Sequence, residues 1–106
     1  MRTIKSRADF ERVFSRGRRF NDPLLRVRVL RTGEGVPGRV AFVAAKRLGN
    51  AVFRNRCKRV LRESARICAL PASGYDVILF STHATHDSSP EMVASSLRRI
   101  LEKSGV

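Results

Sequence analysis

The 106-residue chain contains no tryptophan, one tyrosine, two cysteines and nine acidic residues. Each scarcity excludes something. Two cysteines, Cys57 and Cys68, cannot build a disulfide framework. Both fall in a stretch expected to be one helix, where eleven residues at about 1.5 Å rise place them roughly 16 Å apart, beyond the ~7 Å reach of a bridge. Eleven steps of about 100° also return them to one angular position, so free thiols on the apolar face are expected. No apolar run approaches the roughly 18 residues of a membrane span, and Met1–Ser6 lacks the apolar core of a secretion signal. The expected location is the cytoplasm, with no membrane partner. The acids are scattered, so no carboxylate cluster is expected to hold catalytic metals, and His83 and His86 form a lone H-x-x-H with no nearby Cys to complete a zinc set. Neither a nucleophile elbow nor a glycine-rich phosphate loop is present. Catalysis by protein side chains is therefore not supported.

What the chain does have is arginine. Lys and Arg number 22, of which only four are Lys, and the net charge is +13. With 42% hydrophobic residues the chain can still bury a core, so one small folded domain spanning residues 1–106 is expected. The charge is concentrated. Residues 1–31 carry ten cations and three acids, residues 46–66 carry eight cations and one acid (Glu63), and the remainder is nearly neutral. Blocks of this kind suit a polyanion, and the planar guanidinium fork suits phosphates and base stacking. A basic face kept only for solubility is the competing account.

The elements are short. Ser6 as N-cap and Gly17 as stop predict a helix over 7–16, with Phe10, Val13 and Phe14 as an apolar stripe flanked by Arg7, Arg12 and Arg16. Leu24–Leu30 reads as a strand with Leu25, Val27 and Val29 on one face and Arg26 and Arg28 on the other. After a turn or loop at Thr32–Gly38, Val40–Ala44 is expected as a second strand, hairpin-paired to the first. Asn50 caps a long helix over about 51–69, ended by Pro71 and Gly74. Tyr75–Phe80 is a strongly apolar strand, Ser81–Ser88 a polar loop, and Ser89-Pro90-Glu91 starts a final helix running to about Lys103. The order is α-β-β-α-β-α, and Arg19-Phe20-Asn21 is compatible with one more short strand. Fold class is an α/β (α+β) two-layer sandwich.

The long helix is the most informative segment. On a helical wheel Phe53, Cys57, Val60, Leu61, Ile67 and Cys68 share one arc, while Arg54, Asn55, Lys58, Arg59, Arg62 and Arg66 share the opposite one. Arg56 lies on the border. A solvated helix face usually interleaves Glu for i, i+4 pairing, whereas here Arg54/Lys58, Lys58/Arg62 and Arg62/Arg66 repel at a few tenths of a kcal/mol each, roughly. A phosphate-bearing partner would offset that. On the first helix, Phe10 and Phe14 are interleaved with arginines and lie upstream of Phe20, Arg26 and Arg28, a composition that suits unstacked single-stranded bases. The same F-x-x-V-F stripe also fits ordinary core packing.

The run Lys46-Arg47-Leu48-Gly49-Asn50-Ala51-Val52-Phe53-Arg54-Asn55-Arg56-Cys57-Lys58-Arg59 resembles the signature of the protein subunit of bacterial ribonuclease P, with its Arg-Asn-Arg motif opening the long helix. Arg7-Ala8-Asp9-Phe10, Val13-Phe14 and Gly17 resemble that family's first helix and its stop, and the resemblance extends over essentially the whole chain. It implies a fold shared with one domain of a small-subunit ribosomal protein and with the fourth domain of elongation factor G: α-β-β-β-α-β-α, with a left-handed β-α-β crossover after the third strand. It further implies a partnership with a catalytic RNA that removes the 5′ leader from precursor tRNA. The RNA would hold the active site and its magnesium ions, with no catalytic residue and no cofactor in the chain and no protein partner required. Carried over by position, Lys46, Arg47, Asn50, Arg54, Asn55, Arg56, Lys58, Arg59 and Arg62 would face the catalytic RNA. Phe10 and Phe14, with Arg7 beside them, would line the leader cleft. The family often places an aromatic residue on the cleft face of the strand that spans Leu24–Leu30 here. This chain has Arg26 and Arg28 there instead, so a more electrostatic cleft is expected. The rival function is a stand-alone structural RNA- or DNA-binding protein of ribosomal or nucleoid type.

Overall fold

The computed structural model describes residues 1–106. Helix α1 spans Arg7–Arg16, with the Ser6 hydroxyl accepting from the Asp9 N–H at 3.4 Å and the Gly17 N–H donating to the Val13 carbonyl at 2.8 Å. Glycine is required at this stop, because a Cβ on Gly17 would collide with the Val13 oxygen. Four strands follow: β1 (Arg18–Asn21), β2 (Leu25–Arg31), β3 (Arg39–Val43) and β4 (Tyr75–Ser81). A 3-10 turn at Lys46–Leu48 leads into helix α2 (Ala51–Ile67), short helix α3 covers His83–His86, and α4 covers Pro90–Ser104. The segment compatible with a further strand is thus β1, and the loop expected at 81–88 contains the end of β4 and α3.

The sheet order is β1-β2-β4-β3, antiparallel except for the β3–β4 pair. The expected β2–β3 hairpin is therefore not formed. Asp76, Val77, Ile78 and Leu79 of β4 are all fully buried, so this strand needs a neighbour on each side and both faces covered; it inserts between β2 and β3. The Thr32–Gly38 loop accordingly spans the width of a strand instead of turning tightly. It is tied to the approach to β4 by Thr32 N–H to Gly74 O at 2.8 Å and Gly74 N–H to Val36 O at 2.7 Å. On the outer edge of β3, Ile4 N–H donates to Val40 O and Val40 N–H to Arg2 O, which covers part of that edge with the N-terminal segment.

The stop of α2 also differs from expectation. Before Pro71 or Gly74 is reached, Ala69 turns left-handed at φ 59°, with Leu70 N–H bonding Ala65 O and Ala69 N–H bonding Arg66 O. That pair of bonds is a Schellman ending, carried here by alanine rather than glycine.

One sheet face, with Leu25, Val27, Val29, Val40, Val77 and Leu79, packs against Val60, Leu61 and Ala65 of α2 and Val93, Leu97, Ile100 and Leu101 of α4. This is the main core and the two-layer sandwich. Helix α1 lies on the opposite face and covers only part of it, burying Val13 on the side where β4 presents the fully buried Ile78. An ion network pins it there. Arg39 on β3 donates to both oxygens of Asp76 (3.2 and 2.7 Å) and to Asp9 on α1 (2.9 Å), and Asp9 also takes Arg12 at 3.0 Å. Asp76 is fully buried, so Arg39 supplies the compensating charge without which it would be costly. Arg39 likewise holds the Asp9 carboxyl below its usual range. Because α1 leaves the rest of its sheet face bare, a cleft opens beside it.

Candidate nucleic-acid interface

Two basic surfaces emerge. The first is the outer face of α2, begun by Asn50, whose side chain accepts from the Phe53 N–H at 2.9 Å. Asn55, Arg56, Arg59 and Arg62 are exposed and Arg54 and Lys58 half-buried, while Cys57, Val60 and Leu61 face inward as the wheel predicts. Ser64 and Ala65 are buried as well, two small residues that let α4 approach. None of Arg54, Arg56, Lys58, Arg59 and Arg62 pairs with a carboxylate; Arg66 does, with Glu63.

Two of these side chains are held in place by other means. Arg56 Nε donates to His86 O at 2.9 Å, and the Arg62 guanidinium lies 5.3 Å from the Phe42 ring centroid. Phe53 stacks on His86, centroids 4.1 Å apart and rings parallel to within 1°, with His83 edge-on at 6.0 Å. The H-x-x-H pair thus braces the start of α2. No group of three or more His, Cys, Asp or Glu side chains comes together to hold a metal ion. Burial raises the pKa of both thiols, and both Cys57 and Cys68 are free.

The second surface is the cleft beside α1, about 490 Å³. Its floor is the sheet face presenting Arg26 and Arg28 of β2, Arg19 and Asn21 of β1, and Phe80 of β4; Val43, Ala45 and Arg47 close the far wall. Strand register explains the grouping, since Arg19 lies opposite Arg28, Asn21 opposite Arg26, and Arg26 opposite Phe80. Phe14 overhangs it from α1. Its ring meets Phe80 edge-on at 5.9 Å, stacks against Phe10 at 6.3 Å, and carries the Arg28 guanidinium 4.3 Å from its centroid. Arg28 also donates to the Phe14 carbonyl. Despite these contacts Phe14 stays 43% exposed. Burial, and secondarily the nearby Arg19 charge, push the Arg28 guanidinium below its usual pKa.

The predicted site residues therefore divide unevenly. Phe14, Arg26 and Arg28 line the cleft, whereas Phe10 stands behind Phe14 as a support. Arg7 projects into solvent and pairs with Glu11 at 3.3 Å. Arg47, expected beside the α2 stripe, lies on the cleft wall; Lys46 is exposed on the same 3-10 turn. Sequence reasoning missed Arg19, Asn21 and Phe80. The aromatic ring that β2 lacks is supplied by Phe80 of the neighbouring strand, and only the β2–β4 pairing places it there.

The family model for Ribonuclease P matches residues 1–105. The chain is 38% identical over 105 residues to the ribonuclease P protein component of Gluconacetobacter diazotrophicus, covering 97% of this chain and 90% of that one. It is 34% identical over 104 residues to that of Symbiobacterium thermophilum, covering 97% and 90%. Among solved structures it resembles the Staphylococcus aureus RNase P protein with a TM-score of 0.79 at 27% identity, over 98% of this chain and 95% of that one. The RNase P protein of Thermotoga maritima shares the fold with a TM-score of 0.77 at 21% identity, over 97% of each chain.

Proposed function

The chain belongs to the ribonuclease P protein family, and from that premise we propose a division of labour between its two surfaces: the α2 stripe grips the phosphates of a catalytic RNA, and the cleft beside α1 holds the single-stranded 5′ leader of precursor tRNA. Membership makes it a protein component of an endoribonuclease complex in tRNA processing. The observation that carries the finer reading is Phe14. An aromatic ring held 43% exposed over a groove floored by arginines is what a stacked base flanked by phosphates requires. A core residue would have been covered.

In this reading the chain's work is binding. Arg54, Arg56, Lys58, Arg59 and Arg62, without carboxylate partners, neutralise RNA phosphates and displace the counterions condensed on them. Arg19, Arg26, Arg28 and Arg47 do the same for the leader, while Phe14 and Phe80 offer ring faces and edges to its bases. The chain gathers no set of side chains fit to hold catalytic metals. The magnesium ions of hydrolysis are proposed to sit in the RNA, and the complex to work in the cytoplasm.

The test is cleavage of a precursor tRNA by the catalytic RNA at low magnesium, with and without this chain. A +13 protein offsets phosphate repulsion in the folded RNA, so it is expected to lower the magnesium needed for cleavage. RNA binding without any such stimulation would favour the stand-alone structural protein instead. Cleavage by the chain alone, free of RNA, would overturn the assignment of chemistry to the RNA.

A further inference from the structure

Phe14 is exposed, yet its ring is not a bare platform. Phe10 lies near-parallel to it, at 17°, and Phe80 meets it edge-on. The Arg28 guanidinium sits 4.3 Å from the ring centroid. Arg28 rises from the sheet floor that Phe14 overhangs, so the ring face it covers is the one turned toward the cleft. A base entering the cleft thus meets a guanidinium before it meets the ring. It must either displace Arg28 or lie on it.

Three observations favour the second course. Arg28 donates to the Phe14 carbonyl, one of the last-turn acceptors that α1 itself leaves without an intrahelical partner. Drawing Arg28 away would orphan that carbonyl and strip the ring of its cation together. Arg28 pairs with no carboxylate, and no acidic residue lines the cleft, so no acid of the protein competes for its outer face or its remaining N–H groups. Finally, Arg19 lies opposite Arg28 in the β1–β2 register and Arg26 stands two residues along β2, so phosphates beside a bound base find cations without displacing Arg28.

Resting on the reading of this cleft as the leader site, we propose that one leader base stacks on the outer face of the Arg28 guanidinium, with the Phe14 ring backing it and Phe10 behind Phe14. The platform is an arginine laid on a phenylalanine, and residue 28 acts through its plane as well as its charge. A guanidinium is planar and stacks on aromatic faces, whereas a lysine ammonium carries the same charge with no plane. Contact through a face, without hydrogen bonds to base edges, requires that a base be present and tolerates any of the four.

The test pairs Arg28→Lys, in the full chain, with precursor tRNAs in which one leader nucleotide at a time is made abasic. Wild type is expected to lose affinity when one particular leader base is removed. Arg28→Lys is expected to lose roughly two- to thirty-fold on the intact leader, the span of arginine–aromatic contacts. At that one abasic position wild type and variant should bind almost alike, because base and plane act only through each other. The salt slope should match in the two proteins, since no charge is lost. Mature tRNA, which has no leader, serves as the control for folding. Wild-type affinity of Arg28→Lys for the intact leader would overturn the proposal, because charge alone would then suffice. So would a loss of the same size at every leader position, abasic or not, which would reduce Arg28 to a support for α1 and Phe14. Failure of the leader reading itself would look different: wild type would bind precursor and mature tRNA alike with no abasic position mattering, and the proposal would fall with it.

Discussion

Replacing Phe14 by leucine and by alanine separates base stacking from packing at the residue where the two compete. A phenylalanine fully covered buries about 200 Å². With 43% of Phe14 exposed, a little over half of that is covered, about 110 Å², worth ~3 kcal/mol at ~25 cal/mol per Å². Alanine keeps the Cβ contacts, so Phe14→Ala is expected to cost about 2 kcal/mol of stability, below the roughly 3–5 kcal/mol of a fully buried ring. Phe14→Leu keeps most of the contact with Phe10 and Phe80 and should cost about 1 kcal/mol or less. Its distinctive loss is the π face, for a leader base and for the Arg28 guanidinium 4.3 Å away. A lost base stack is worth about 1–3 kcal/mol, roughly five- to 150-fold in affinity. The assay compares precursor tRNA with mature tRNA, which has no leader, by fluorescence anisotropy, alongside thermal unfolding of each variant. The expected pattern is selective loss of precursor affinity in both variants, with Phe14→Leu close to wild type in stability. Wild-type precursor affinity in Phe14→Leu would refute the stacking argument, whatever the alanine variant does.

On the α2 face, Arg59→Ala with Arg62→Ala should flatten the salt dependence of catalytic-RNA binding by about two units, with only a small stability cost from the lost Arg62–Phe42 contact; an unchanged slope in the folded variant would show that the stripe is merely solvated. Arg39→Ala strands the buried Asp76 carboxylate and should cost roughly 3–5 kcal/mol in urea unfolding; a loss under about 1 kcal/mol would contradict the role of the network in pinning α1. Since Arg39 lowers the Asp9 pKa from 3.8, ionised Asp9 adds stability above that pH and loses it as pH falls through the lowered value. The stability gap between wild type and Asp9→Asn should therefore narrow in acid, and a gap that widens there would be inconsistent with it. Ala69→Gly relieves a left-handed alanine at an exposed helix stop and should raise stability by about 0.5–1 kcal/mol without changing RNA affinity, read by thermal unfolding and by the same anisotropy assay.

Local periodicity was sufficient for the helices. The cationic and apolar arcs of α2, its Asn50 cap, and the Ser6 and Ser89 caps depend on residues within four positions of one another, so the sequence alone determines them. The alternation in β2 is equally local, and it suffices to place Arg26 and Arg28 on the face away from the core. The resemblance carried by the Lys46–Arg59 run identified the family that the comparisons then showed. The end of α2 was less legible, because a left-handed alanine carries no signal comparable to a glycine.

What the tertiary structure decided is every relation between distant segments. Residues 14 and 80 meet because β4 inserts between β2 and β3, which also undid the expected hairpin and set Phe80 opposite Arg26. Arg39 and Asp76, 37 residues apart, became the clamp that holds α1 over the sheet. The position of α1 in turn left part of one sheet face open as a cleft with an exposed aromatic. Strand order is a choice among pairings that satisfy the same alternating pattern, and it is settled by which strand must be buried on both faces, a property of the packed molecule as a whole.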